Sequence, residues 1–442
     1  MLAPVERFLA IEAASGIVLM LGAAVALIWA NSSFNDTYAH LWHTPIGLRV
    51  GSFTFERDLH FWINEGLMTI FFFLVGLEIR REIHAGELSD IRRASLPVVA
   101  AVGGMIVPAL IFASLNSGRS SAQGWAIPMA TDIAFAVGAL ALLGKRVQPA
   151  LRILLLALAV IDDVGAIVVI ALFYSSTLAA AGFVILGVGL AAVLFLQLLG
   201  IRSPLAYVAP GIAVWAGAYS AGIHPTLAGV ILGMMTPVKA WHGPRIFLDE
   251  TQARVDSLRL EGVVEEHALL PHLDRLKSDS REAVAPVERL QHALHRWVAF
   301  GIMPLFALAN AGVSIGHIQF DGDAAWVFLG VSLGLAAGKP AGILLLTWLA
   351  ARTGIVRLPR GVRWTGIAIV GMVGGIGFTM ALFIAQLAFP TGALLEIAKL
   401  GVLSGSLLAG VLALVIGYRA LPPTVNAGAA KTEAEAEASS ER

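Results

Sequence analysis

Apolar runs of bilayer length fill this chain and leave it little to become except a bundle of membrane-spanning helices. The runs lie at residues 8–30, 59–79, 95–115, 121–144, 151–174, 180–200, 204–219, 222–236, 297–313, 324–350, 364–389 and 396–418. About 20 apolar residues cross the hydrocarbon core as a helix, so the expected fold is an all-α membrane protein with about twelve transmembrane helices. Composition agrees, since 57% of the 442 residues are hydrophobic and 14% are charged, against about 25% charged in a soluble domain. A soluble enzyme is excluded. With no cysteine, disulfides, thiolate nucleophiles and cysteine-based metal sites fall away. Lys+Arg and Asp+Glu stand at 30 each, so no basic excess points to nucleic acid.

The placement of charge orients the bundle. If the even-numbered connections face the cytoplasm, they hold 21 Lys and Arg, against Arg49, Arg57 and Arg119 in the odd ones. That asymmetry puts both termini in the cytoplasm. The first span is too long for a signal peptide and contains Glu12, which fits an uncleaved helix. The chain divides into residues 1–236 (spans one to eight), 237–293, 294–419 (spans nine to twelve) and 420–442. Residues 237–293 carry eight Lys/Arg and ten Asp/Glu and read as a hydrated cytoplasmic insertion, helical in part around Val255 to Leu276. Residues 420–442, Ala/Glu-rich after Pro422-Pro423, read as a disordered cytoplasmic tail. Residues 45–57 alternate Leu48, Val50, Phe53 and Phe55 around Gly51-Ser52, the pattern of a small external β-hairpin or of a plain loop.

Charged residues interrupt three spans near mid-depth. Asp162-Asp163 sits at the centre of the run 151–174, about 18 Å of helix from either end. Each aspartate there costs roughly 2.5–3.5 kcal/mol on the insertion scale, which is why intramembrane carboxylates face a cavity or a partner and mark function. Neighbouring helical residues point about 100° apart, so one carboxylate can face an aqueous path while the other faces a partner. Lys339 lies within Gly338-Lys339-Pro340 in span ten, and Asp132 within Pro128-Met129-Ala130-Thr131-Asp132 in span four. Taken singly, Asp132 or Lys339 could neutralise a helix end or form one buried ion pair; three carboxylates and an amine together exceed what packing needs.

The spans that surround these groups are broken in a pattern. Pro128 interrupts span four, and Gly366, Gly371, Gly374, Gly375 and Gly377 precede Phe378-Thr379 in span eleven. Each is the middle member of a triplet, spans three to five and ten to twelve. An offset of seven spans sends the second triplet into the membrane from the opposite side, an inverted-topology repeat. Interrupted helices at corresponding positions of two repeats point to a midplane ion site, because unwound backbone is tolerated only where it is buried in protein or lines a cavity. Glycine clusters also serve close helix packing.

Five motifs carry a family resemblance: Ala130-Thr131-Asp132-Ile133-Ala134-Phe135-Ala136, Val160-Ile161-Asp162-Asp163-Val164-Gly165-Ala166, Gly338-Lys339-Pro340, Phe72-Phe73-Leu74-Val75-Gly76-Leu77-Glu78 and His224-Pro225-Thr226-Leu227-Ala228-Gly229. From about Phe8 to Arg419, outside the insertion, the chain resembles the NhaA-type sodium/proton antiporters, a family among the known inverted-repeat transporters. The resemblance implies Asp163 as the main sodium ligand with Asp162 and Thr131 nearby, and Lys339 paired with Asp162 when no ion is bound. It implies that Asp132 and Lys339 offset the helix ends where spans four and eleven cross. It further implies electrogenic exchange of sodium or lithium for protons, no cofactor, an inner-membrane location and a homodimer joined partly by the hairpin. Glu78, Arg81, Glu82, His224, His292 and His295 fall on family positions linked to pH response, expected near the cytoplasmic face. Gln291 departs from the glutamate common before the first late histidine.

The chemistry follows from charge. Desolvation penalises an ionised carboxylate, so a membrane-buried acid can hold a proton or a small hard cation, and oxygen donors suit such an ion. Exclusive occupancy suffices for exchange if the loaded site alternates between faces and the empty one does not. An ATP-driven pump is excluded, because Gly334-Leu335-Ala336-Ala337-Gly338-Lys339-Pro340 is one residue short of a phosphate loop and has proline where Ser/Thr should bind magnesium. An intramembrane aspartyl protease needs no interposed lysine, and a cation channel needs no mid-depth amine. A solute symporter built on the same carboxylates is the strongest rival, and it calls for a larger polar or aromatic pocket.

Overall fold

Long apolar helices dominate, and proline, glycine and capping side chains decide where they stop. The structure, a computed structural model, describes residues 3–421 apart from 52, 176–177, 241–242, 244–246, 254–255, 257–271, 273–275, 277–279, 281, 318–319 and 360–361. The expected tail beyond Leu421, most of the expected helix at Val255 to Leu276, and Ser52 of the hairpin turn lie outside the described residues. Among the described residues, six helices are long and apolar enough to cross a membrane: Leu59–Ala85, Ile91–Leu115, Pro149–Phe173, Ala180–Leu198, Asp323–Arg352 and Ala393–Ala420. The number rises to nine if three bent pairs each count as one span: Ala14–Ala30 with Asn35–Trp42, Ser120–Met129 with Ile133–Leu142, and Trp364–Gly374 with Phe378–Ala388. Part of the gap from twelve apolar runs has a local cause. Runs 204–219 and 222–236 yield helices of only 14 and 10 residues, Val208–Ala221 and Thr226–Met235. The first ends at Gly222, whose φ of +80° is the left-handed conformation that closes a helix C-terminus.

The chain forms two compact units. The first comprises Met1–Leu59, Asp90–Tyr174 and Met303–Arg442. In it, Asp90 caps the Ile91–Leu115 helix by accepting from the Arg92 N–H at 2.8 Å. That helix meets Lys339–Arg352 at facing glycines: a Cβ on Gly103 would strike the Gly342 carbonyl, and one on Gly342 the Gly103 carbonyl. Small residues let the two backbones touch, and the Lys339 stem runs beside Gly104. A wide π-type turn, Gly334–Gly338, immediately precedes Lys339. Two antiparallel strands pair from Pro45 opposite Asp58 to Val50 opposite Phe53.

Two other segments of this unit are irregular. Ser120–Met129 winds as a 3₁₀ helix for ten residues with Pro128 inside, far beyond the usual three or four. It opens into extended backbone at Ala130 before Ile133–Leu142 begins, with a 48° bend between the two helices. Trp364–Gly374 and Phe378–Ala388 are separated at Gly375–Gly377 with the same 48° bend.

The second unit comprises His60–Ser89 and Ser175–Ile302. Met68–Ala85 lies along Thr226–Met235 through Gly76, Gly229 and Gly233, each against the other helix's backbone. Leu77, Ala285 and Val287 form a buried cluster with Phe73, Val238, Leu290 and Leu294 around it. The Val287 N–H donates to Pro237 O at 3.2 Å, so the two ends of the charged insertion meet.

Candidate ion site at two helix breaks

The two breaks in the first unit touch, and one carboxylate serves both. The Asp132 N–H donates to Ile376 O at 2.8 Å. Asp132 Oδ1 accepts from the Phe135 N–H at 3.1 Å, capping Ile133–Leu142. Oδ2 accepts from the Thr379 N–H at 3.1 Å and the Thr379 hydroxyl at 2.5 Å, in the first turn of Phe378–Ala388. Two helix N-termini, each worth about half a positive charge, thus converge on a side chain that is 1% exposed.

The opposite polarity meets Lys339. Its ammonium lies 2.5 Å from Asp162 Oδ2 and donates to Met129 O, the last carbonyl of the 3₁₀ helix. The Thr131 hydroxyl donates toward the same Asp162 oxygen at 2.5 Å and toward Gly374 O at 2.9 Å. A hydroxyl has one proton for those two acceptors; a protonated Asp162 would resolve the contest by donating to Thr131, which then serves Gly374. Asp162 Oδ1 is buried with no hydrogen-bond partner among the described residues. Asp163, next on the Pro149–Phe173 helix, is 2% exposed and close enough for its charge to act on Lys339. All five groups, Thr131, Asp132, Asp162, Asp163 and Lys339, are buried. Among the described residues no three His, Asp or Glu side chains form a metal cluster, so a cation here would draw on carboxylates, the Thr131 hydroxyl and main-chain carbonyls.

The structure divides the six residues expected to respond to pH. Arg81 Nη2 pairs with Glu82 Oε1 at 3.1 Å, and Glu82 Oε2 accepts from the Glu87 N–H at 3.0 Å. Glu78 is half-buried on the same helix, His295 is half-buried and His292 exposed on Pro286–Trp297, whose Leu290 and Leu294 pack near Leu77. His224 lies elsewhere, with Nδ1 3.3 Å from Glu65 Oε2. Glu65 and Glu82 are 17 residues apart along Leu59–Ala85, about 25 Å at 1.5 Å per residue. The expectation that His224 joins the others at one membrane face is corrected by this distance: Thr226–Met235 runs parallel to Met68–Ala85, which puts its leading residues at the Glu65 end.

Several participants escaped the sequence reading. Met129 O, Gly374 O and Ile376 O are main-chain acceptors, which no residue type announces. Ser406, on Ala393–Ala420, accepts from the Phe378 N–H at 3.1 Å, and nothing in its sequence separates it from Ser404 two residues before.

Comparison with known proteins identifies the family. A family profile described as Na+/H+ antiporter 1 matches residues 6–416. A protein of Sorangium cellulosum named Na(+)/H(+) antiporter NhaA 2 is 56% identical over 99% of this chain and 94% of its own length. Proteins of the same name from Myxococcus xanthus and Pseudomonas putida are 53% and 52% identical, over 99% and 96% of this chain and 93% and 95% of theirs. With the profile covering nearly the whole chain, this multi-pass helical membrane protein belongs to the Na+/H+ antiporter 1 family of secondary transporters.

Proposed function

We propose that the chain expels sodium, or lithium, in exchange for protons through competition for the Asp162–Asp163 site, with twelve spans in an inner membrane and both termini cytoplasmic. The observation that carries the reading is the state of Asp162. One oxygen is held by an ammonium and a hydroxyl, the other has no hydrogen-bond partner among the described residues, and the whole is buried between two helix breaks. A cation that takes the carboxylate must displace Lys339 or a proton. An ammonium stripped of its carboxylate in such a medium is costly, and releasing its proton removes the cost. Asp163 supplies a second exchangeable proton, so more than one positive charge enters for each sodium that leaves, and exchange is electrogenic. The carboxylates and the lysine titrate as a coupled set.

Oxygen donors favour small hard cations, which supports sodium and lithium. The paired breaks support inverted repeats. The open edges of the Pro45–Val50 and Phe53–Asp58 pair support a homodimer joined on the outer side. Glu78, Arg81, Glu82, His292 and His295 at one end of the second unit, with His224 beside Glu65 at the other, form the pH-responsive set.

The test is a sodium pulse on energised vesicles, with internal pH followed while the membrane potential is clamped and then free. Antiport moves protons against the sodium flux and gives a voltage-sensitive rate; co-directional movement would make the chain a symporter. Asp163→Asn is expected to abolish sodium-coupled proton movement in protein that still folds, and normal exchange by that variant would refute the assignment.

A further inference from the structure

The helix restart at Phe378 needs three amide N–H groups satisfied before the first intrahelical bond, from Ala381 N to Gly377 O at 2.8 Å. In a membrane interior, water is not there to satisfy them. Thr379 gives its N–H to Asp132. Phe378 gives its N–H to Ser406 Oγ at 3.1 Å, in a buried contact. Ser406 is 6% exposed and sits in the middle of Ala393–Ala420. Gly405 and Gly401 bring that helix onto the backbone around Ser332 and Phe328, and Ser404 bonds Ser332 and its own helix, so Ser406 is mounted on a close-packed support.

We propose that Ser406 is a positioning residue of the ion site: by holding the Phe378 amide it sets where Gly374 O stands relative to Asp162, the gap that Thr131 bridges. The path is short and complete. Ser406 fixes the restart at Phe378, and three glycines or apolar residues join it to Gly374. Gly374 O and Asp162 Oδ2 then share the Thr131 hydroxyl. Glycine at 375 and 377 leaves that connection torsionally soft, so its ends must be held from outside. Thr131 meets it at Gly374 O and Asp132 at Ile376 O and Thr379; Ser406 holds Phe378 between them.

The inference rests on the proposed exchange at Asp162, and wild-type vesicles test that first: no sodium-dependent proton movement there defeats the function, not Ser406. With exchange established, Ser406→Ala is expected to raise the sodium concentration for half-maximal exchange roughly three- to tenfold, the scale of one buried hydrogen bond. The maximal rate per folded protein should change little. Ser406→Thr, which keeps the hydroxyl, should restore the wild-type value, and Leu407→Ala, at an exposed position of the same helix, should leave it unmoved. In a Thr131→Ala background Ser406→Ala should add nothing, since the bridge is already gone. If Ser406→Ala does not fold, Ser406→Cys, with its weaker acceptor, is read instead and should fall between serine and alanine. Unchanged half-saturation in the folded variant, a threonine variant as impaired as alanine, or an additive effect on Thr131→Ala would each overturn the proposal.

Discussion

Replacing Lys339 with methionine deletes the ammonium and keeps most of the stem. That ammonium lies 2.5 Å from Asp162 Oδ2, and neither side chain has exposed surface. Deleting one partner of a buried pair costs about 3–5 kcal/mol, because the surviving charge is left uncompensated. Met129 O also loses its donor, adding about 1 kcal/mol. A sodium ion can supply the missing positive charge. At a hundred times its dissociation constant, a ligand stabilises by about 2.7 kcal/mol, and in the variant the cation has no ammonium to displace. Lys339→Met is therefore expected to unfold well below wild type in choline chloride and to recover more than wild type does when sodium replaces choline at equal ionic strength. The double variant Asp162→Asn/Lys339→Met, which has no charge to strand, should regain most of the loss without sodium. Thermal unfolding of the purified protein in detergent reads all five combinations. A single variant as stable as wild type in choline, or a double variant no better than the single, would refute the charge coupling on which the exchange reading depends.

Three further outcomes follow from the geometry. Asp132→Ala strips the acceptor from two helix starts at once and should cost about 2–4 kcal/mol, twice a usual N-cap loss; Asp132→Asn keeps one acceptor oxygen and should fall between, as unfolding midpoints will show. If sodium and protons exclude each other, the half-saturating sodium concentration should rise as pH falls, by about tenfold per pH unit for each proton displaced, and a pH-independent value in vesicle exchange would contradict competition. His224→Ala and Glu82→Ala should shift the pH–activity curve independently, adding within about 0.5 kcal/mol, since Glu65 and Glu82 stand at opposite ends of one helix; strong non-additivity in the double variant would contradict the separation.

What the sequence disclosed and what it hid divide along a physical line. Asp162, Asp163, Asp132 and Lys339 were legible because a charge inside a long apolar run is conspicuous whatever surrounds it. Pro128 and the glycines from 366 to 377 marked both breaks, since each removes or loosens helical backbone. The double duty of Asp132 was not legible: capping two starts from one side chain depends on where Thr379 arrives in space. Ser406 was hidden because a serine in a helix commonly bonds its own backbone, as Ser404 does. Hydropathy measures apolar length and does not register how much of a run is helical: the runs at 204–219 and 222–236 form helices of 14 and 10 residues, the first closed by left-handed Gly222. The pH-linked residues were grouped by analogy, with no periodicity to reveal that His224 meets Glu65, at the opposite end of the Leu59–Ala85 helix from Glu82.

The ten-residue 3₁₀ segment Ser120–Met129 has a consequence for reach. Wound at about 2.0 Å per residue it advances roughly 20 Å, where an α-helix of the same residues would advance about 15 Å. The chain thus delivers Thr131 to the depth of Asp162 with some three residues fewer than ordinary winding requires. Were the segment to rewind as an α-helix, the Met129 carbonyl would retract about 5 Å, more than the length of the contact it makes with Lys339. Winding, as well as charge, therefore governs whether the lysine keeps both of its anchors.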